Sequence, residues 1–350
     1  MNEINLYIIG TSFQLLNALE AKNCLPQLSN SVNNIFITNP FCKSIHEFEL
    51  LLQQDEWNDI IYPVKFRSRL FSNLFEKKLF NIIRLLYYKL MIKIYLKNKK
   101  ICSLIIGNYT GLLTNYVLQN FKTKEVIVVD DGLGTLKIAK YRKREIQTNI
   151  NHFWFHDKNK PIIRKLFGIR NIVHPNITFF SIYNIKVPVN DTLLLNKFDF
   201  LKSDQKFEIS DNVYIIGQPV VEVGIIDINS YLNYLRKITD NYNSNTVFYI
   251  PHRRENENNL NRINKLCTIK QFNVPVELAL TNEKMLPKRI IGFTSSALLN
   301  LKKIFNHLVI VESYFLPPII NKSLSVMDDL IFLFQENGII INRTLSDNNE

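Results

Sequence analysis

Two adjacent carboxylates, Asp130 and Asp131, end the apolar run Val126, Ile127, Val128, Val129 and lead into Gly132 and Gly134. Neighbouring carboxylates raise each other's proton affinity, which suits a general base. On this reading Asp131 projects into a ligand crevice and Asp130 faces the adjoining loop. The same pair would equally order a turn or cap the next helix. A second cluster is His252, Arg253 and Arg254 in "FYIPHRREN". An imidazole beside two guanidiniums suits a phosphate or another anion, although a basic surface loop has the same composition. The third is Thr294, Ser295 and Ser296 in "GFTSSALLN". There, hydroxyls and the exposed N–H groups of a helix start either bind an anion or cap the helix. Glu277 in "NVPVELAL", Thr11 and Ser12 in "IIGTSFQLLNA", and Gly217 and Gln218 in "NVYIIGQP" are weaker signals at similar junctions.

These residues need strands that end beside one another, and the surrounding sequence supplies such strands. Short β-rich runs at 5–10, 34–39, 60–66, 102–108 and 126–130 alternate with helical patterns, the reading of a doubly wound parallel sheet. The pattern blurs from about 136 to 205 and restarts with strands at 212–219, 246–252, 288–295 and 307–313, again separated by helices. An α/β protein of two Rossmann-like domains, 1–205 and 206–350, is therefore expected. Open sheets of this kind bind ligands at the carboxyl ends of their strands, where the residues above fall.

Composition narrows the chemistry. Of the 350 residues 46% are hydrophobic, enough for sizeable cores. Neither half carries G-x-G-x-x-G or a Walker A loop, which disfavours dinucleotide and P-loop chemistry. Cys24, Cys42, Cys102 and Cys267 are scattered, with no C-x-x-C, so neither a zinc site nor a disulfide framework is expected. The start, MNEINLYIIGTSF, does not read as a secretory signal, and no long uncharged apolar run reads as a membrane span. A cytoplasmic protein is expected.

The net charge of +12 is concentrated. Residues 65–100 hold eleven basic residues against Glu76 alone, so this segment carries +10 of it. Its abundant Leu, Ile, Phe and Tyr residues predict one or two amphipathic helices. They either lie on an anionic membrane surface or pack on the core with a basic outer face. Nucleic-acid binding is not expected, because no nucleic-acid motif accompanies the charge.

In chain order, G-T-S-F-Q-L-L-N-A, D-D-G, a strand ending in His252, P-V-E and T-S-S resemble the bacterial sialyltransferases of glycosyltransferase family 52 and its relatives. That group is marked by a [D/E]-[D/E]-G motif, a His-Pro motif and a Ser/Thr motif. One departure is that Pro251 precedes His252 and Arg253 follows it; a literal His-Pro occurs at His174 instead, in the irregular region. The resemblance implies a GT-B fold with the active site between two Rossmann-like domains. It implies a CMP-sialic acid donor held by the second domain, an inverting reaction and neither cofactor nor metal. Asp131 would be the general base and His252 would sit at the CMP phosphate. Ser295 and Ser296 would bind that phosphate, Glu277 the ribose, and Arg253 or Arg254 the donor carboxylate. Asp227 is a second base candidate and also reads as a helix N-cap; Glu222 is a weaker one. The acceptor would be a bacterial lipooligosaccharide or capsule glycan. Alternatives are a GT-B transferase using another nucleotide sugar and a non-catalytic polysaccharide-assembly protein. A homodimer is compatible with all three.

Overall fold

The computed structural model describes residues 2–38, 45–62, 74–151, 161–202, 206–243, 246–316 and 324–342. The chain divides into two compact units, Met1–Phe200 and Leu201–Glu350. The first unit runs β1 (Asn2–Ile9), α1 (Ser12–Cys24), α2 (Pro26–Ser29), β2 (Asn33–Ile37), α3 (Ile45–Leu52), β3 (Asp59–Ile61) and α4 (Leu74–Tyr95). It continues with β4 (Lys99–Ile106), α5 (Leu112–Asn120), β5 (Thr123–Val129), α6 (Gly134–Thr148), α7 (Pro161–Phe167), β6 (Thr178–Ser181) and β7 (Thr192–Leu195). The strands form one parallel sheet in the order β3-β2-β1-β4-β5-β6-β7. Because helices cover both faces, the central strands read as unbroken apolar runs rather than alternating ones. Leu6 and Ile8 of β1, Leu104 and Ile106 of β4, and Val126 and Val128 of β5 share one core with Tyr88 and Ile92 of α4.

The second unit runs β8 (Glu208–Ile216), α8 (Ile228–Thr239), β9 (Val247–Ile250), α9 (Glu257–Ile263), β10 (Thr268–Ile269), α10 (Val276–Thr281) and β11 (Met285–Gly292). After it come α11 (Ser296–Phe305), β12 (Ile310–Tyr314), α12 (Leu324–Glu336) and β13 (Ile340–Asn342). Its parallel sheet has the order β10-β9-β8-β11-β12-β13. In both units the chain builds outward from its first strand on one side, then crosses back and builds outward on the other. The order reverses between β1 and β4, and between β8 and β11. Ligands settle at such reversal points in open sheets.

The region read as irregular contains order. β6 and β7 extend the first sheet by two strands. Each has four residues, too few to show a period, and Phe179 and Phe180 are both buried, so no alternation marks β6. What secures this region is a fully buried cation. Arg142 of α6 donates to both oxygens of Asp191 at 2.8 and 2.9 Å and to Glu145 at 3.3 Å, and Tyr109 donates to Glu145 at 2.7 Å. Asp191 also accepts the Ile177 N–H at 3.0 Å. The cluster ties α6 to the loops flanking β6.

β10 and β13, of two and three residues, likewise escape a sequence reading. Of the expected strand at 60–66, Ile60 and Ile61 lie in β3, and residues 63–66 lie outside the described residues. So do residues 65–73 of the basic segment and residues 152–160 of the irregular region. The rest of the basic segment is dominated by α4, a single helix of 22 residues. Among the described residues no helix is long and apolar enough to cross a membrane.

Candidate active site

At the end of β5 the two aspartates part company. Asp130 is 1% exposed; its Oδ1 accepts the Ser181 hydroxyl at 2.7 Å and its Oδ2 accepts the Ile182 N–H at 2.7 Å. Burial pushes its carboxyl up to about 6, with these two hydrogen bonds working in the opposite direction. Asp130 thus faces the adjoining loop, and its oxygens bind the end of β6, so the expected substrate contact gives way to an anchoring role. Asp131 is half-exposed, with its backbone N–H donated to the Thr135 hydroxyl at 3.1 Å. Gly132 turns the chain with φ of +59°, a left-handed conformation that costs glycine nothing. Thr135 accepts the reversed chain, and α6 starts at Gly134.

At the end of β1, Thr11 caps α1 by accepting the Gln14 N–H at 3.2 Å, and Ser12 donates to Glu47 at 2.8 Å. Ser12 is buried, so its hydroxyl joins α1 to α3. The side chain of Gln14 returns to accept the Gly10 N–H at 2.8 Å, which fixes this strand-to-helix turn.

The second unit brings its motifs onto one edge. β9, β8 and β11 are neighbours, and their carboxyl ends carry His252, Gly217 with Gln218, and Thr294 with Ser295. Gly217 donates its N–H to the Ile250 carbonyl at 2.8 Å, joining the ends of β8 and β9. Gln218 accepts the Thr294 N–H at 3.1 Å, joining the ends of β8 and β11 across the point where strand order reverses. Ser295 is the N-cap of α11 and accepts the Ala297 N–H at 3.3 Å; Ser296 is the first residue of that helix. The capping reading of the T-S-S motif holds for Ser295, and the motif opens a helix N-terminus, where N–H dipoles favour negative charge.

The His252 turn is built on a carboxylate that sequence inspection passed over. Glu255, 7% exposed, accepts the His252 N–H at 2.5 Å and the Tyr249 hydroxyl at 2.6 Å, and the Tyr249 hydroxyl lies 2.9 Å from that of Tyr231. Burial pushes its carboxyl up to about 7. Gly217 packs against this network. A Cβ there would stand 2.5 Å from a Glu255 oxygen and 2.6 Å from the Tyr249 hydroxyl, so only glycine fits. The signal available was an acid three residues after the histidine, and a tyrosine hydroxyl in an otherwise apolar strand. Glu222 completes the frame by accepting from the Asn256 backbone and from the Asn256 and Asn259 amides at 2.9–3.1 Å.

His252 itself accepts the Arg254 N–H at Nδ1, at 3.2 Å. A neutral ring then carries its proton on Nε2. Burial and the two adjacent guanidiniums push its pKa down to about 4, so it is a neutral hydrogen-bond donor near pH 7. Arg253 and Arg254 are exposed.

Two expected site residues are engaged in holding helices. Glu277 is 4% exposed in α10, its Oε1 accepts the Asn300 amide of α11 at 2.7 Å, and burial raises its pKa. Its oxygen joins two helices, where a ribose contact was expected. Asp227 is exposed and caps α8, accepting from the Asn229 and Ser230 N–H groups at 2.9 and 3.1 Å and from the Ser230 hydroxyl at 2.5 Å. Those bonds, led by the Ser230 hydroxyl, lower its pKa, which makes it a weaker base. His174 lies in a loop of the first unit, its Nδ1 2.7 Å from the Asn176 carbonyl oxygen. Among the described residues no cluster of three or more His, Cys, Asp or Glu side chains is arranged to hold a metal ion.

The family model of glycosyltransferase family 52 matches residues 47–313, which is most of the chain and spans D-D-G, the His252 turn, P-V-E and T-S-S. The chain belongs to glycosyltransferase family 52. No curated protein matches it significantly by sequence.

Solved structures show which fold this family 52 chain shares. Phytolacca americana UGT2, complexed with UDP-2-fluoroglucose and pterostilbene, superposes with a TM-score of 0.53 at 8% identity, covering 99% of this chain and 86% of that one. A putative UDP-N-acetylglucosamine 2-epimerase from Listeria monocytogenes gives 0.52 at 9% identity, covering 96% and 89%. MnaA of S. aureus with UDP gives 0.51 at 11%, covering 93% and 82%. At these identities the likeness is one of fold: the family 52 glycosyltransferase has a GT-B fold, with two Rossmann-like units.

Proposed function

We propose that this family 52 enzyme is an inverting sialyltransferase. It moves sialic acid from CMP-sialic acid to a terminal sugar hydroxyl of a bacterial lipooligosaccharide or capsule glycan. The observation that carries the proposal is the edge formed by β9, β8 and β11. Three motifs distant in sequence meet on adjacent strand ends, with Gln218 linking the ends of β8 and β11 between the His252 turn and the hydroxyls that open α11.

On this reading the CMP phosphate binds at the N-terminus of α11, with Ser295 and Ser296, and receives the Nε2–H of His252. As the bond from the anomeric carbon to the phosphate oxygen breaks, its electron pair moves onto the phosphate. Donors already fixed there stabilise the charge without reorganising. A neutral His252 does this as a hydrogen-bond donor rather than as a pre-charged acid. Arg253 and Arg254 are free to meet the donor's own carboxylate. Asp131 of the first unit is the general base: it takes the proton of the acceptor hydroxyl, whose oxygen forms the new bond to the anomeric carbon. Asp227 is set aside as base because its oxygens are committed to the cap of α8. No step requires a metal, consistent with a sequence that has no D-x-D motif at a strand end. The enzyme works in the cytoplasm, peripherally on the inner face of the cytoplasmic membrane, where a glycolipid acceptor is presented.

A second donor class has support from the fold. The UGT2 and MnaA structures are named with UDP or a UDP-sugar, so a GT-B transferase of this shape using a UDP-sugar is the alternative. A thermal-shift panel of CMP, UDP and GDP, followed by transfer from CMP-sialic acid to a lactose-type acceptor with and without EDTA, separates the two. CMP is expected to raise Tm most, and EDTA to leave turnover intact. A UDP preference or a strict requirement for a divalent cation overturns the proposal.

A further inference from the structure

The basic helix α4 has two apolar faces, and among the described residues only one of them packs against the fold. Tyr88 and Ile92 are fully buried in the first unit's core, with Leu85, Met91 and Tyr95 packed beside them. On the opposite side Leu79, Ile83, Leu90 and Ile94 are 50%, 52%, 54% and 65% exposed. Their spacing of four, seven and four residues places all four within an arc of about 60° at 100° per residue. Lys93 is exposed beside that arc, and Lys97 is exposed in the turn that follows α4. A soluble helix with one buried face should carry polar residues opposite it. This one carries isoleucines and leucines interleaved with lysine.

The strip is widened by α7. Lys89 of α4 donates to the Leu166 carbonyl at 2.6 Å and sits over the Tyr116 and Phe167 rings, which lays α7 alongside. α7 in turn exposes Ile162 at 72%, Leu166 at 44% and the Lys165 side chain. It contains no acidic residue, and the only acid of α4 is Glu76.

We infer that the outer face of α4, with α7, docks the enzyme on an anionic lipid bilayer. Exposed branched apolar side chains enter the boundary between headgroups and acyl chains, while the lysines keep their ammonium groups among lipid phosphates. Charge selects this occupant. A second copy meeting the same face would bring basic segment against basic segment, whereas anionic headgroups neutralise it. α4 carries the chain from the carboxyl edge of the first sheet at β3 back to the start of β4, so it lies along the strands. With α4 flat on the surface, the edge bearing Asp131 opens along the membrane plane. Lys89 is committed inward and belongs to the packing of α7; Lys93 and Lys97 do the electrostatic work.

The inference rests on the proposed use of a glycolipid acceptor, but its test needs no turnover. Co-sedimentation is measured with vesicles of phosphatidylcholine alone and of phosphatidylcholine mixed with phosphatidylglycerol. The wild-type chain is expected to bind only the mixed vesicles. Lys93→Gln with Lys97→Gln should weaken that binding about 30-fold, from roughly a five-fold contribution by each lysine at an anionic surface. Leu90→Ser with Ile94→Ser should weaken it comparably, while Lys265→Gln with Lys284→Gln, exposed lysines of the second unit, should leave it unchanged. Both α4 variants should retain turnover of a small soluble acceptor, which also shows that they fold. Absence of binding to mixed vesicles, or losses equal in the α4 and control variants, overturns the inference. So does a wild-type dimer that Leu90→Ser with Ile94→Ser converts to monomer without any vesicle binding. A chain that binds vesicles but does not transfer sialic acid refutes the proposed function and leaves the docking face standing.

Discussion

The turn after β5 and the turn after β9 solve one problem with different reach. Each presents a half-exposed side chain with a proposed chemical role, Asp131 or His252, and each has a buried carboxylate nearby as its anchor, Asp130 or Glu255. Asp130 reaches across some fifty residues of sequence to Ser181 and Ile182, so its turn is fixed by the neighbouring strand. Glu255 reaches back three residues to the His252 N–H and to Tyr249, so its own bonds to this turn are local, with Glu222 framing the residues that follow. A turn bound to another strand is only as firm as the sheet, whereas a self-bound turn can keep its shape while neighbouring elements shift. The proposed general base thus stands on the sheet's own rigidity, and the proposed phosphate ligand on a turn that keeps its own shape.

The largest effect expected from breaking this comparison falls on the exposed member of the first turn. Asp131→Asn should lower kcat by about 10² to 10⁴, the range for loss of a general base, with CMP affinity near wild type. Asp227→Asn should leave turnover largely intact. Steady-state kinetics with calorimetric CMP titration checks both; an active Asp131→Asn beside a folded, inactive Asp227→Asn would move the base to the second unit.

Next comes the long-range anchor. Asp130→Ala strands the buried Ser181 hydroxyl and the Ile182 N–H and should cost about 3 kcal/mol of stability. The loss should appear in urea unfolding of the first unit, and CMP should still stabilise the second. An unchanged midpoint would mean that the turn does not depend on β6.

The smallest effect is expected at the local anchor, and it depends on pH. The folded carboxyl of Glu255 titrates at about 7, above its ordinary 4.5. Its contribution to stability is therefore fully present below 4.5 and is lost as pH rises through 7. Glu255→Gln should remove that part of the pH dependence and weaken donor binding by roughly tenfold, the worth of one charge-assisted hydrogen bond. Identical stability profiles for the two proteins from pH 4.5 to 8 would show that Glu255 is already ionised in the fold.

Much of this was legible in the residues. Unbroken apolar runs bounded by glycine and polar turns mark β1, β4 and β5, because strands buried on both faces need side chains that water would reject on either side. The order of D-D-G, His252, P-V-E and T-S-S was sufficient to point to the family. Short elements were not legible: β6, β7, β10 and β13 have too few residues for any period, and they exist because a longer neighbour offers them hydrogen bonds. The α4 segment showed charge and apolar content together, but its sequence does not say which apolar face meets the core.

Residue chemistry, then, was determined by the sequence alone: paired acids after one strand, an imidazole with two guanidiniums after another, hydroxyls opening a helix. Tertiary structure decided their assignments. Asp130 and Asp131 are chemically identical neighbours, and only the position of β6 determines which is buried. Glu277 looked like a ligand contact and packs against Asn300, because α11 lies over it. Glu255 looked like one more charge in a polar loop, yet it is enclosed by Tyr249, Gly217 and the His252 backbone. A side chain's pKa and role follow from the groups that replace its water, and those groups come from segments far away in the chain or folded back upon it.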